Sequence, residues 1–308
     1  FKSHPGHQCK ANMAVEWRNA LSNVPRGGRT RIAPTPSGFL HAGNAVDILI
    51  IQALAAHFGA TVLLRLDDLD EARVRPAYVE DVFRSLEWLG VRWDEGPSGP
   101  TDHAAHWKQR YRSGRYTELL AALQAKGVLY GCACSRREVR ERSSDGVYTG
   151  TCRHLGLPLD DRHSWRMRLD GDGLVEVPGL ISGSRMIDLH GVMGDPVVRQ
   201  RGVDGAVGLP AYQVASLADD IDRAIDLIVR GEDLLASSAC QRHLADVLGP
   251  GRFHAARFVH HPLLLDGSGG KLSKSAGALS LQAMRKAGAT PDALRREADS
   301  MLNMLFRT

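Results

Sequence analysis

The chain has 308 residues, 39 of them Lys or Arg against 35 Asp or Glu, a formal net charge of +4, with 43% hydrophobic and 24% charged residues. This is the composition of an ordinary soluble protein, long enough for one large domain or two smaller ones, and it permits a nucleic-acid partner without demanding one. No apolar run approaches the ~20 residues needed to span a bilayer, and the first fifteen residues lack the apolar core of a signal peptide, so no membrane partner is expected. The five cysteines, an odd number, argue against a secreted disulfide scaffold and for a reducing, cytoplasmic location.

Residues 1–28 read as a peripheral extension: a polar lead, a weak helix over residues 14–23, then Pro25-Arg-Gly-Gly. Met13 reads as a natural start, with residues 1–12 ahead of it. The first informative stretch is Arg31-Ile-Ala-Pro-Thr-Pro-Ser-Gly-Phe-Leu-His-Ala-Gly-Asn-Ala45, followed by the apolar pattern of a largely buried helix over residues 45–58. His41, Gly43 and Asn44 therefore stand at a helix N-terminus, where unbonded N–H groups and the helix dipole favour a phosphate. Gly43 carries no Cβ to keep a ligand off the backbone. A loop that merely caps a helix fits the same residues equally well.

Residues 60–66 form a near-continuous apolar strand of the kind buried on both faces of a parallel sheet. Asp67-Asp-Leu-Asp70 lies at its carboxyl end, where open α/β sheets bind ligands. Residues 78–89 have the periodicity of an amphipathic helix. Strand, helix, strand, helix in that order predicts an α/β fold, a Rossmann-like doubly wound parallel sheet whose first half spans residues 29–100. No G-x-G-x-x-G follows the first strand, so no dinucleotide site is indicated.

A polar, Pro/Gly-rich boundary at residues 96–102 leads into a basic helix over residues 106–126. Cys132, Cys134 and Cys152 fall within 21 positions and offer three thiolates, while tetrahedral zinc takes four ligands. Tyr148 and His154 are the nearest candidates for the fourth, and spacing alone favours His154. Reduced, buried cysteines are the alternative. Residues 160–193 alternate polar with apolar, as short antiparallel strands do. Residues 101–193 thus read as an inserted zinc-bearing subdomain.

The second half of the sheet domain is expected over residues 194–265. A loop runs through Gly208 into a buried helix that begins near Tyr212 and includes Asp219 and Asp220, and residues 224–229 form another buried strand. Arg230 at that strand's end needs a carboxylate or phosphate partner, since its fork matches either. Lys271-Leu-Ser-Lys274-Ser275, behind Gly267-Ser-Gly-Gly270, reads as a cationic phosphate clamp or a surface turn. A short C-terminal helical segment (residues 279–306) completes the last stretch, 266–308. Basic clusters at residues 136–142 and 285–296 read equally as nucleic-acid contacts or solvated helix faces.

The Arg31 to Asn44 motif, paired with Lys271 to Ser275, resembles the two signature motifs of class I aminoacyl-tRNA synthetases. The Ala-Pro-x-Pro-x-Gly lead-in and the segment Arg65 to Asp70 resemble the glutamyl branch. The chain runs about 33 residues beyond the lysine loop, without the anticodon-binding domain of a full glutamyl-tRNA synthetase. With its Cys-x-Cys…Tyr-x-x-x-Cys pattern it is similar to the glutamyl-Q tRNA(Asp) synthetase family. The resemblance implies glutamate activation by ATP and transfer to queuosine in the anticodon loop of tRNA(Asp), without charging tRNA(Glu).

It further implies structural zinc on Cys132, Cys134, Tyr148 and Cys152, which displaces His154 from the ligand set. Arg31, Thr35, Asp67, Tyr212 and Arg230 would hold glutamate, with Arg230 on the side-chain carboxylate. His41, Gly43, Asn44 and Lys274 would bind ATP, whose Mg2+ arrives with the nucleotide. His41, Gly43, Lys271 and Lys274 would serve the reaction by positioning and charge stabilisation. One position departs: the family has glutamate where this chain has Asp67, the carboxylate expected on the substrate's α-ammonium group. That carboxylate sits about 1.5 Å further back, so the backbone adjusts, a water intervenes, or the substrate differs. The competing readings are the same adenylate handed to a carrier protein or small molecule, a related amino acid, and a non-catalytic RNA-binding paralogue. A monomer is expected.

Overall fold

The computed structural model describes residues 16–22, 26–180, 183–264 and 280–306. Taken in chain order, the main elements begin with α1 (Glu16–Ala20), β1 (Arg29–Ile32), α2 (Ala42–Phe58), β2 (Thr61–Leu64) and α3 (Pro76–Leu89). Next come α4 (Ser113–Ala125), β3 (Leu129–Cys132), α5 (Arg136–Arg142), β4 (Ser164–Met167), β5 (Leu174–Pro178), β6 (Ser184–Asp188) and β7 (Val197–Arg199). The chain then returns through α6 (Tyr212–Asp222), β8 (Leu227–Gly231), α7 (Leu235–Leu248) and β9 (Arg257–His261) to α8 (Leu281–Lys286) and α9 (Asp292–Leu305).

The central sheet has the order β2-β1-β8-β9, with every pairing parallel. Consecutive strand residues point to opposite faces, and both faces are covered. Val62 and Leu64 join a core built with α2, α3 and α9, while Leu63 joins a second core with α4, α6 and α7. Phe258 and Val259 of β9 divide in the same way. Burial on both faces is why these strands read as unbroken apolar runs rather than alternating ones. Each fully buried Leu or Ile contributes roughly 1.5–3 kcal/mol.

Helix α2 begins at Ala42, three residues before the apolar run that marks it in the sequence, because His41 caps it. α3 opens on Pro76 and ends at Gly90, whose φ of 69° is the left-handed conformation that stops a helix cheaply. The basic helix expected over residues 106–126 is broken instead. A π-turn at His103–Trp107 and a 3-10 turn at Gln109–Arg112 precede α4. Asp68 accounts for the break: its carboxylate accepts from the Gln109 backbone N–H at 2.9 Å and contacts His103 Nε2 at 3.0 Å. That competes with the regular i→i−4 ladder.

Outside the parallel sheet lie a three-stranded antiparallel sheet, β3-β4-β7, and the hairpin β5-β6. β7 comes from beyond residue 193 and closes that sheet. Among the described residues, no helix is long and apolar enough to cross a membrane.

Candidate active site

Three strand ends, β1, β2 and β8, deliver the charged residues, and α2 begins beside them. At its N-terminus the His41 imidazole accepts from the Gly43 backbone N–H through Nδ1 at 3.1 Å. Asn44 Oδ1 accepts the His41 backbone N–H, also at 3.1 Å. The ring proton therefore sits on Nε2, the donor that a phosphate oxygen requires. Gly43 is needed here for space: a Cβ would lie 3.0 Å from His41 Cε1 and 3.1 Å from Nδ1. A cavity of about 350 Å³ opens beside this turn, lined by Thr35, Ser37, Asn44, Asp47 and Tyr212 among others.

Lys271 and Lys274 lie outside the described residues. The flanking chain is described, and both flanks reach this site. Ser280 pairs with His41 in an antiparallel bridge, and the Leu281 N–H donates to the Leu40 carbonyl at 2.7 Å. On the other flank, His261 at the end of β9 contacts Asp47 of α2 at 2.9 Å.

Behind the cavity lies a buried ionic network. Arg65 donates to Asp67 through Nε at 2.7 Å, to Asp220 through Nη1 at 2.7 Å and to Ser216 through Nη2 at 3.2 Å. Arg31 reaches Asp220 at 3.3 Å and the Val229 carbonyl at 3.2 Å. Gln109 ties the acidic residues together, donating to Asp219 at 2.9 Å and to Asp67 at 3.4 Å. Asp219 is also met by Tyr116 and Arg112.

Charge in so dry a setting shifts protonation. Burial alone would raise Asp220, but the guanidinium groups of Arg31, Arg65 and Arg230 hold it below the usual carboxylate range. Asp67 goes the other way, since burial outweighs Arg65 and Asp219 and Asp220 add repulsion. Burial, reinforced by Arg230 and Arg65, lowers Arg31 despite Asp220.

Arg230 is the unfinished member. It is 3% exposed, and its Nη1 donates to Gln241 Oε1 at 2.9 Å and to Ser238 Oγ at 3.2 Å. Its Nε and Nη2 have no hydrogen-bond partner, and neither has Gln241 Nε2. Asp220 stands 3.9 Å away, within ion-pair range but beyond hydrogen bonding. Buried donors left open in this way cost about 1–3 kcal/mol each, which a bound acceptor recovers.

Arg31, Asp67 and Arg230 thus meet through Asp220 and Arg65, while Thr35, Asn44 and Tyr212 share the cavity. Tyr212 also lies close enough to Arg31 to act on its charge. Sequence reasoning assigned no role to Arg65, Gln109, Asp219 or Asp220. One signal was available: two adjacent aspartates inside an otherwise apolar helix, Tyr212–Asp222, both 1% exposed. Buried carboxylates require partners.

A separate cluster lies where β3 ends. The Sγ atoms of Cys132, Cys134 and Cys152 all lie within 4.8 Å of one another, close enough to share a metal ion. Tyr148 joins them: Cys132 Sγ is 3.5 Å from its hydroxyl, which accepts the Cys152 backbone N–H at 2.8 Å. The three thiols are three of the four donors that tetrahedral zinc takes. Burial and the Cys152 thiol push the Cys134 thiol up to about 12, so it stays protonated unless a cation draws the proton off. His154, the choice on spacing, is exposed and outside the cluster.

The description "tRNA synthetases class I (E and Q), catalytic domain" fits a family model matching residues 28–301. A glutamyl-Q tRNA(Asp) synthetase of Symbiobacterium thermophilum is 38% identical over 278 residues, covering 85% of this chain and 82% of its own length. A glutamate–tRNA ligase 2 of Gluconobacter oxydans is 36% identical over 277 residues, 85% of this chain but only 58% of its own. Among solved structures, the glutamate–tRNA synthetase of Elizabethkingia anophelis matches with a TM-score of 0.63 at 25% identity, over 83% of this chain and 53% of that one. The chain therefore spans most of the first relative and little more than half of the other two.

Proposed function

Since the chain belongs to the catalytic-domain family of class I tRNA synthetases for glutamate and glutamine, we propose that it activates L-glutamate with ATP and transfers it to queuosine of tRNA(Asp). The observation that carries the amino-acid choice is Arg230, a buried guanidinium with two N–H groups unpaired. A glutamate side-chain carboxylate supplies the charge and the two acceptors that this fork needs. A glutamine amide offers one oxygen where the two open nitrogens of this fork call for two acceptors.

The chemistry asks for positioning rather than a nucleophile on the protein. The glutamate α-carboxylate attacks the α-phosphorus of ATP in line, forming glutamyl-adenylate and releasing pyrophosphate. His41 Nε2–H and the start of α2 meet the phosphates. Lys274, with Lys271, neutralises the departing pyrophosphate, and Mg2+ enters with ATP. Ser280 against His41 and His261 against Asp47 anchor the ends of the segment that carries both lysines.

Cys132, Cys134, Cys152 and Tyr148 would hold a structural zinc ion, which supplies a cross-link and no reactive group. In the acceptor step an acceptor hydroxyl attacks the adenylate carbonyl and AMP leaves. Assignment of that hydroxyl to queuosine rests on the glutamyl-Q relatives. Asp67 favours a second acceptor class or amino acid: its oxygens already serve Arg65 at 2.7 and 3.4 Å and Gln109 at 3.4 Å. The deciding experiment is ATP–pyrophosphate exchange over all amino acids, with and without tRNA, followed by transfer of labelled glutamate to purified tRNA(Asp) and tRNA(Glu). Exchange with glutamate and label on tRNA(Asp) alone is expected. Label only on a non-RNA acceptor, or no exchange, refutes the reading.

A further inference from the structure

His261 closes β9 at the edge of the Thr35–Tyr212 cavity, with its side chain 6% exposed. Its Nε2 lies 2.9 Å from Asp47 Oδ1, and its Nδ1 lies 2.8 Å from the Pro262 carbonyl oxygen. An ionised carboxylate and a carbonyl can only accept, so both ring nitrogens are placed to donate. Only the imidazolium form has two N–H groups.

Asp47 lines the cavity, with its side chain 32% exposed. It is five positions beyond Ala42, the first residue of α2, roughly 8 Å along the axis. A lone carboxylate there would repel a phosphate bound at the helix N-terminus and offset the positive potential that the dipole offers it.

We infer that His261 is a positioning residue of the triphosphate site: it docks the end of β9 onto α2 and supplies the positive charge that cancels Asp47 beside ATP. The inference rests on the ATP reading above, and it gives the His261–Asp47 contact an electrostatic part beyond the anchoring already described. Among the described residues, the charges facing His261 are Asp47 from α2 and Asp233 from the turn after β8, both favouring the imidazolium. The next ring on the strand, His260, is held neutral by its own burial and by Arg230. Burial works against the His261 cation, but Asp47, the Pro262 carbonyl and Asp233 outweigh it and raise its pKa. The pair is therefore neutral on the acid side of that raised value. It becomes a net negative charge only as pH rises through that raised value, and ATP binding weakens on the alkaline side.

The test is the KM for ATP in glutamate-dependent exchange from pH 6.5 to 9, for the natural chain, His261→Gln and Asp47→Asn. One uncancelled charge at this distance predicts a roughly 3- to 10-fold rise in KM for ATP in His261→Gln at the acid end of that range, with kcat nearly unchanged. The alkaline rise of the natural chain should be absent in His261→Gln and should move to lower pH in Asp47→Asn. An NMR titration of the His261 ring supplies a readout independent of activity: it should titrate above the ordinary ~6.5 and fall in Asp47→Asn. A His261→Gln variant with the natural pH profile overturns the inference, as does a ring that titrates at or below the ordinary value. If His261→Gln does not fold, an unchanged alkaline rise in Asp47→Asn overturns it. If no amino acid supports exchange, the glutamate reading fails by itself, and calorimetric ATP affinity over the same pH range replaces KM.

Discussion

Replacing Arg230 with methionine separates the binding role of this residue from any part in folding. In the proposed complex its Nε and Nη2 meet the substrate carboxylate, two charge-assisted bonds worth about 1.5–3 kcal/mol each. Losing about 3–6 kcal/mol lowers kcat/KM for glutamate roughly 10²- to 10⁴-fold. Folding stability should respond differently. The substitution gives up Nη1 contacts to Gln241 and Ser238 but removes two buried donors that have no partner. Those effects are of similar size and opposite sign. Asp220 keeps Arg31 and Arg65 as partners. One buried negative charge is then in excess, so the melting temperature should fall modestly while activation collapses. Initial-rate exchange with glutamate and glutamine, alongside thermal unfolding, reads both. A variant that keeps glutamate kcat/KM within threefold, or loses activity only in step with unfolding, refutes the assignment.

Four further outcomes follow from the same coordinates. Purified chain should carry about one zinc, and Cys134→Ser should lose it and melt earlier, measured by elemental analysis and calorimetry; metal-free chain of undiminished stability would remove the ion from the account. Gly43→Ala should lower exchange activity by roughly 10- to 100-fold without loss of stability, because the new methyl group displaces the His41 ring. Ala224, a non-glycine residue at φ 53°, is strained in the left-handed region, so Ala224→Gly should stabilise the fold by up to about 1 kcal/mol and raise the melting temperature. His260, pushed down to about 3 by burial and then by Arg230, binds its proton in the unfolded chain first. Stability should thus fall by up to about 1.4 kcal/mol per pH unit as pH drops from 6.5 towards 3, with a shallower slope in His260→Gln.

Local chemistry made part of this legible in the sequence. Strands β2 and β8 announced themselves as apolar runs because both faces are buried. The three cysteines lie close in sequence and stay close in space. What could not be read was pairing over distance: Arg65 finds Asp220 across 155 positions and Arg31 finds it across 189. No local pattern says which of many charges is the buried partner. The broken helix at residues 103–112 has the same origin, since Asp68 recruits His103 and Gln109 from 35 and 41 positions away. Helical propensity yields there to a carboxylate that must be satisfied.

The network also reframes the one departure from the family motif. Asp67 is not a shortened arm reaching into an empty pocket, since Arg65 holds both of its oxygens. Among the buried residues, Arg31, Arg65 and Arg230 face Asp67, Asp219 and Asp220, so charge is balanced before any substrate arrives. Hydrogen bonding is not balanced, because Arg230 Nε and Nη2, Gln241 Nε2 and Asp220 Oδ2 are all open. An incoming glutamate has one negative charge more than it has positive, and its side-chain carboxylate meets the open donors directly. Its ammonium group must then share Asp67 with Arg65 or bind a different carboxylate. Asp67→Glu discriminates between these. A longer side chain that lowers KM for glutamate means the ammonium sits at Asp67, and an unchanged KM means that it binds elsewhere.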